Sequence, residues 1–228
     1  MAHARSAITL DAHGVLLLPD PVAMRDVLVA FEAQPDEETC WRAHYEMMRL
    51  LDQTPDPDWT AVSESMASAL GVPRDRRDAA APVVAQCYLS SQWVAAPGAA
   101  DALAHLASDG YALAVIANST HGHVERLLAE AGLCSTSGSC TRVAAVIDSR
   151  VVGIEKPDHR MFELALEALG TTPSLCIHVG DSIPLDVVPA KAAGIAAVHV
   201  DPDRLCTAPD HAHTASIAAF AQELHPDS

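Results

Sequence analysis

The chain has 228 residues, half of them hydrophobic, with 30 acidic side chains against 14 basic ones and a formal net charge of −16. So much negative charge repels nucleic-acid backbone and anionic membrane surfaces, so neither is expected as a partner. The hydrophobic fraction excludes global disorder, and six cysteines without a C-x-x-C pair exclude zinc-ribbon and thioredoxin-type sites.

Ala7–Leu10 is a short apolar run that ends at Asp11. Asp11 and His13 interrupt the first apolar stretch, which removes a secretory signal from consideration. No segment reaches the roughly 20 apolar residues of a membrane span. The expectation is a cytoplasmic protein, with Cys134 and Cys140 read as free thiols in preference to a bridge. From about residue 20 to 95 no comparable strand occurs. Helical patterns occupy this block: Trp41, Tyr45, Met48 and Leu51 on one face, then Trp59–Leu70, then Arg76–Trp93 with Pro82 early in it. Pro55 and Pro57 break the chain between the first two.

Pro97-Gly98 precedes an amphipathic helix over Ala99–Ala107. Apolar runs then recur at Tyr111–Ile116, Val143–Ile147, Leu175–Val179 and Ile195–Val200, separated by helical segments. That alternation predicts an α/β fold: a Rossmann-like parallel sheet with helices on both faces and an inserted helical cap. The domains are expected at 1–18 with 97–228 for the core, and 19–96 for the cap. After Pro202 the chain reads as loop, with His211 and His213 in a polar tail of no specific role, then a short helix near Ala215–Leu224. His121 and His123 read as loop or helix-start residues.

Three runs deliver Asp11, Asn118 and Asp181 to their C-terminal ends, the rim where open α/β sheets place their sites. Asp11 closes the first strand, with Gly14 making a tight turn behind it. Lys156-Pro157-Asp158 precedes a helix over His159–Leu169, with Pro157 read at its start, so Lys156 sits at a helix entrance where it can meet an anion. Gly180-Asp181 and Asp186 place two carboxylates five residues apart across a turn before a helix at Val187–Ala193. Oxygen donors of this kind suit Mg²⁺, although each motif alone also reads as a cap, a turn former or a surface charge.

Taken together, in this order and strand context, the motifs resemble the haloacid dehalogenase superfamily, in particular its helical-cap, phosphatase-type members. The resemblance covers about residues 6–18 and 97–201. It implies Asp11 as a carboxylate nucleophile, Lys156 as the cation holding nucleophile and transferring group, and Asp181 as a Mg²⁺ ligand. It further implies Asp186 as a second acidic position supporting the metal or Lys156, and the backbone carbonyl of His13 as another metal ligand. The implied activity is Mg²⁺-dependent hydrolysis of a small phosphate ester through an aspartyl-phosphate intermediate, by a monomer or homodimer.

Two departures stand out. Phosphatases of this family carry a second Asp two residues after the nucleophile, as acid and base. Here that position is His13, which either takes over the proton transfers or marks an impaired, binding-only relative. The Ser or Thr that family members place at the second strand end is Ala117 if Asn118 aligns with their Asn, and Ser119 if the register shifts by one. Asn118 and Ser119 are both retained as candidate substrate contacts. Asp11-Ala12-His13-Gly14 also resembles the haloacid dehalogenases proper, which carry an aromatic residue at the third position and act at carbon without Mg²⁺.

Overall fold

The computed structural model describes residues 6–54, 57–89 and 93–224. By backbone contacts the chain divides into a unit of residues 1–17 with 95–228 and a unit of residues 18–94. Among the described residues no helix is long and apolar enough to cross a membrane.

In chain order the first unit opens with β1 (Ala7–Leu10), and the boundary falls on the paired short strands β2 (Leu17–Pro19) and β3 (Trp93–Ala95). Between them lie α1 (Pro21–Leu28), α2 (Glu37–Gln53), α3 (Trp59–Ala69) and α4 (Arg77–Leu89). The first unit resumes with α5 (Ala99–Ser108), β4 (Ala112–Ala117), α6 (Val124–Glu130), the short pair β5 (Cys134–Ser135) and β6 (Thr141–Arg142), and β7 (Val146–Asp148). It ends with α7 (Ser149–Val152), α8 (Arg160–Leu169), β8 (Cys176–Gly180), α9 (Val188–Ala192), β9 (Ala196–Val200), β10 (Ala212–Thr214) and α10 (Ile217–Leu224).

Six strands form one parallel sheet in the order β10-β9-β8-β1-β4-β7. Successive side chains on a strand point to opposite faces. Ala7, Ala114, Ile116, Cys176 and Ala197 pack with Met161, Phe162, Ala165 and Leu166 of α8. The alternate set, including Ile8, Leu10, Leu113, Val115 and Val179, is equally buried. A sheet buried on both faces reads as continuous apolar runs, and these strands do. The architecture is the expected α/β layering, and the central strands β1 and β8 bring their C-terminal ends side by side through the register Leu10 to Val179.

The helical unit follows from its caps and stripes. Asp20, Asp36 and Asp58 each accept backbone N–H groups at the starts of α1, α2 and α3, satisfying donors that a helix leaves open. Met24, Leu28, Cys40, Ala43, Met47, Val62, Met66 and Val84 meet in one apolar core.

Several local expectations need correction. The buried stripe of α2 is Cys40, Ala43, His44 and Met47, one position around the helix from the face marked by Trp41, Tyr45 and Met48. Trp41, Met48 and Leu51 of the expected face pack against that core from its edge, partly buried. The third helix does not reach Trp93, which lies in β3, and the predicted break at Pro55 falls outside the described residues. Helix α8 starts at Arg160, so Pro157 lies in the preceding loop and does not open the helix. Asp186 sits inside a wide helical turn, Ile183–Val187, ahead of α9. The tail holds a strand: β10 pairs with β9 at the sheet edge, with His213 directly opposite His199.

Candidate active site

Asp11, Lys156, Asp181 and Asp186 are all buried, and the fold brings them to one place at the C-terminal ends of β1 and β8. Lys156 Nζ lies 2.8 Å from Asp11 Oδ1 and 2.6 Å from Asp186 Oδ1. Asp11, Asp181 and Asp186 each offer a carboxylate oxygen, and these oxygens lie within 4.8 Å of one another.

The chain positions each group by local means. Asp11 continues β1, its N–H donating to the Val179 carbonyl at 2.9 Å. The turn behind it closes through Gly14, whose positive φ of 82° suits a residue without Cβ. Asp186 folds back toward the end of β8, and a Cβ on Gly180 would stand 2.3 Å from the Asp186 Cβ and Cγ. Glycine at position 180 is therefore what lets Asp186 reach Lys156. Asp186 Oδ1 also accepts from His178 Nε2 at 3.0 Å, and its Oδ2 accepts from the Ser182 N–H at 3.2 Å.

His178 was not singled out in the sequence because it lies in mid-strand among apolar neighbours. Its imidazole is fully buried edge-on against Phe162, with Nδ1 3.0 Å from the Thr9 hydroxyl. Burial holds it below the ordinary histidine range, with Asp186 acting in the opposite direction. A neutral ring donating from Nε2 to Asp186 and accepting at Nδ1 from Thr9 satisfies both ends. The one available signal was its two-residue spacing before Gly180 on a strand ending in carboxylates.

Asn118 and Ser119 are placed close by but are engaged elsewhere. The Asn118 Nδ2 donates to the Lys156 carbonyl at 3.0 Å, and the Lys156 N–H donates to Asn118 Oδ1 at 2.8 Å. The Ser119 hydroxyl donates to Asp148 Oδ1 at 2.6 Å. Asp148 in turn caps α7 and accepts the Val124 N–H at the start of α6. Its weight in holding this rim was not foreseen. His13 is half-buried in the turn after Asp11.

The electrostatics are unbalanced. Three buried carboxyl groups face one ammonium, so acidic groups outnumber the cation that serves them. Burial raises Asp11 and Asp181 to about 8, Lys156 pulling the other way in both. Asp186 is drawn down to about 2, since Lys156 and His178 together outweigh its own burial. Lys156 is raised above the ordinary lysine range because Asp11 and Asp186 outweigh its burial. Although Lys156 is close, Asp11 Oδ1 makes no well-directed hydrogen bond. An oxygen-only donor set with a single cation among three carboxyl groups, and an underused buried oxygen, fits a hard divalent cation.

Residues 6–194 match the sequence profile of the haloacid dehalogenase-like hydrolases. The chain belongs to that family. Its similarity to the phosphoserine phosphatase of Thermus thermophilus is 38% identity over 105 residues, 46% of this chain and 40% of that protein. The matched stretch thus spans less than half of that relative. Among solved structures of the family, a HAD phosphatase from Thermococcus onnurineus aligns with a TM-score of 0.60 at 20% identity, covering 96% of this chain and 98% of that one. The L-2-haloacid dehalogenase of Xanthobacter autotrophicus aligns with a TM-score of 0.58 at 20% identity, covering 98% of this chain and all of that one. At such identities the likeness speaks for the fold.

Proposed function

We propose that this haloacid dehalogenase-like hydrolase is a Mg²⁺-dependent phosphatase of a small phosphorylated metabolite, working through an aspartyl-phosphate on Asp11. The observation that carries the reading is the Lys156 ammonium clamped between Asp11 and Asp186 inside a buried acidic cluster. The partial likeness to a phosphoserine phosphatase supports phosphate over halide chemistry. Residues 18–94 are read as the family's helical cap.

Asp11 attacks the substrate phosphorus in line, a phosphorus–oxygen bond to its carboxylate forms, and the ester oxygen departs with a proton. Lys156 draws the nucleophile and the phosphoryl oxygens together and offsets their mutual repulsion. Asp186 keeps Lys156 aimed, with His178 and the Ser182 N–H holding Asp186 in turn. Mg²⁺, held by Asp11, Asp181 and the His13 carbonyl with Asp186 in support, would supply further positive charge at the phosphoryl group. His13, two residues past the nucleophile, donates the proton to the leaving oxygen and then takes one from the water that splits the acyl phosphate. Two easier steps replace one hard one.

The test is phosphate release from a panel of phosphorylated metabolites, with Mg²⁺ and with EDTA, for the wild type and Asp11→Asn. Activity is expected with Mg²⁺ only, and Asp11→Asn should lose on the order of 10⁴-fold or more, the scale of removing a covalent nucleophile. Equal rates in both proteins would remove Asp11 from the chemistry. Halide release that survives EDTA would point to attack at carbon. Phosphatase activity present only after His13→Asp would mark the natural chain as a binding relative.

A further inference from the structure

A second cluster lies at the sheet edge, built from different chemistry. His199 on β9 and His213 on β10 are directly paired in the parallel register, so their rings share a face with centroids 5.6 Å apart. His211, two residues before His213, returns to that face, 5.5 Å from His199 and 4.5 Å from His213. The loop between the strands brings Cys206 Sγ to 3.6 Å from His211 Nε2. The four side chains each offer a nitrogen or sulfur atom, and these atoms lie within 4.8 Å of one another.

The hydrogen bonds leave lone pairs aimed inward. His199 Nε2 donates to the Asp181 carbonyl at 3.2 Å, and its Nδ1 is buried with no partner. His213 Nε2 is likewise buried with no partner. His211 Nδ1 lies 2.9 Å from Asp210 Oδ1, which fixes Nε2 as its accepting nitrogen. The His199 side chain is more than nine-tenths buried, and buried ring nitrogens with unused lone pairs cost stability unless a donor or a cation meets them.

We propose that His199, Cys206, His211 and His213 form a tetrahedral site for a borderline-soft divalent cation of the zinc class, distinct from the oxygen-only cluster. With Zn–S near 2.3 Å and Zn–N near 2.05 Å, tetrahedral geometry sets a sulfur-to-nitrogen separation of ~3.6 Å, as between Cys206 and His211. Asp210 then plays the part of the carboxylate that orients a metal-bound imidazole. On binding, the Cys206 S–H bond breaks, its proton leaves to solvent, and the sulfur electron pair bonds the metal. The role is structural: all four positions are filled by protein. Through the His199 hydrogen bond to the Asp181 carbonyl, the site braces one carboxylate of the acidic cluster.

The test uses the whole chain without an affinity tag, stripped with a chelator and titrated with Co²⁺, then with Zn²⁺ in competition. One equivalent should give the visible bands of tetrahedral cobalt and a near-ultraviolet sulfur-to-cobalt charge-transfer band, both displaced by Zn²⁺. Cys206→Ser, whose fold is checked by circular dichroism, should lose the charge-transfer band. Asp210→Asn should weaken binding about 10–100-fold. Asp11→Asn should leave the spectrum intact whether or not Asp11 is a nucleophile. A weak octahedral spectrum, a charge-transfer band that survives Cys206→Ser, or a signal lost in Asp11→Asn would each overturn the site.

Discussion

The two polar clusters of the first unit stand on the same sheet and differ in almost every property. At β1 and β8 the groups are carboxyl oxygens around one ammonium; at β9 and β10 they are imidazole nitrogens and one sulfur. The first cluster hangs from strand tips and one glycine-dependent turn, so its members sit next to recognisable sequence punctuation. The second arises because two parallel strands place His199 and His213 opposite each other. Strand ends announce themselves in a sequence, whereas cross-strand register does not.

Their failure modes should differ too, and Lys156 gives the larger contrast. In Lys156→Met the buried Asp11, Asp181 and Asp186 lose their shared cation. Removing one partner from a buried ion pair costs about 3–5 kcal/mol. Chemical denaturation in EDTA should show a loss of this size, reduced when Mg²⁺ is added. Unchanged stability would mean the acidic cluster is not electrostatically coupled to Lys156.

A third buried imidazole calibrates that contrast. His44 is buried in the 18–94 unit, with Nδ1 hydrogen-bonded to the Tyr88 hydroxyl and Trp93 edge-on to its ring. Its Nδ1 is partnered, whereas the Nδ1 of His199 is not. Burial lowers it from 6.5 to about 3. Between those values the unfolded chain holds the proton and the folded chain does not, so this contribution is whole above pH 6.5 and drains away as the pH falls toward 3. The stability difference between wild type and His44→Leu should change by about 1.4 kcal/mol per pH unit in that window. A pH-independent difference would place the charged form inside the fold.

The legible part of the molecule was the part written in local patterns. Ala7–Leu10 followed by Asp11, Gly180-Asp181, and Lys156-Pro157 announced the strands, the rim and the acidic cluster. What stayed hidden depends on partners far away in the chain. His178 reads as an interruption in an apolar strand until Thr9, Phe162 and Asp186 surround it. His211 and His213 looked like tail residues because β10 is three residues long and only its pairing with β9 makes it a strand. On α2 the sequence marked Trp41, Met48 and Leu51, which pack at the edge of the core, and passed over the fully buried Cys40 and Ala43, which are small and carry little weight in a hydrophobic pattern.

The finest distinction concerns Asn118, which the sequence offered as a substrate contact and whose amide is hydrogen-bonded at both ends to the Lys156 backbone. The two roles separate in one variant. If Asn118 holds Lys156 in place, Asn118→Ala leaves a buried N–H and carbonyl without their partners, at a cost of about 1–2 kcal/mol. Lys156 would then drift from Asp11, so kcat should fall with KM little changed, since the ammonium matters most as charge builds in the transition state. If Asn118 binds substrate instead, KM should rise and stability should hold. Denaturation curves and steady-state kinetics on the same preparation decide between them, and the answer fixes whether the acidic cluster is aimed from within the core or by the molecule it acts upon.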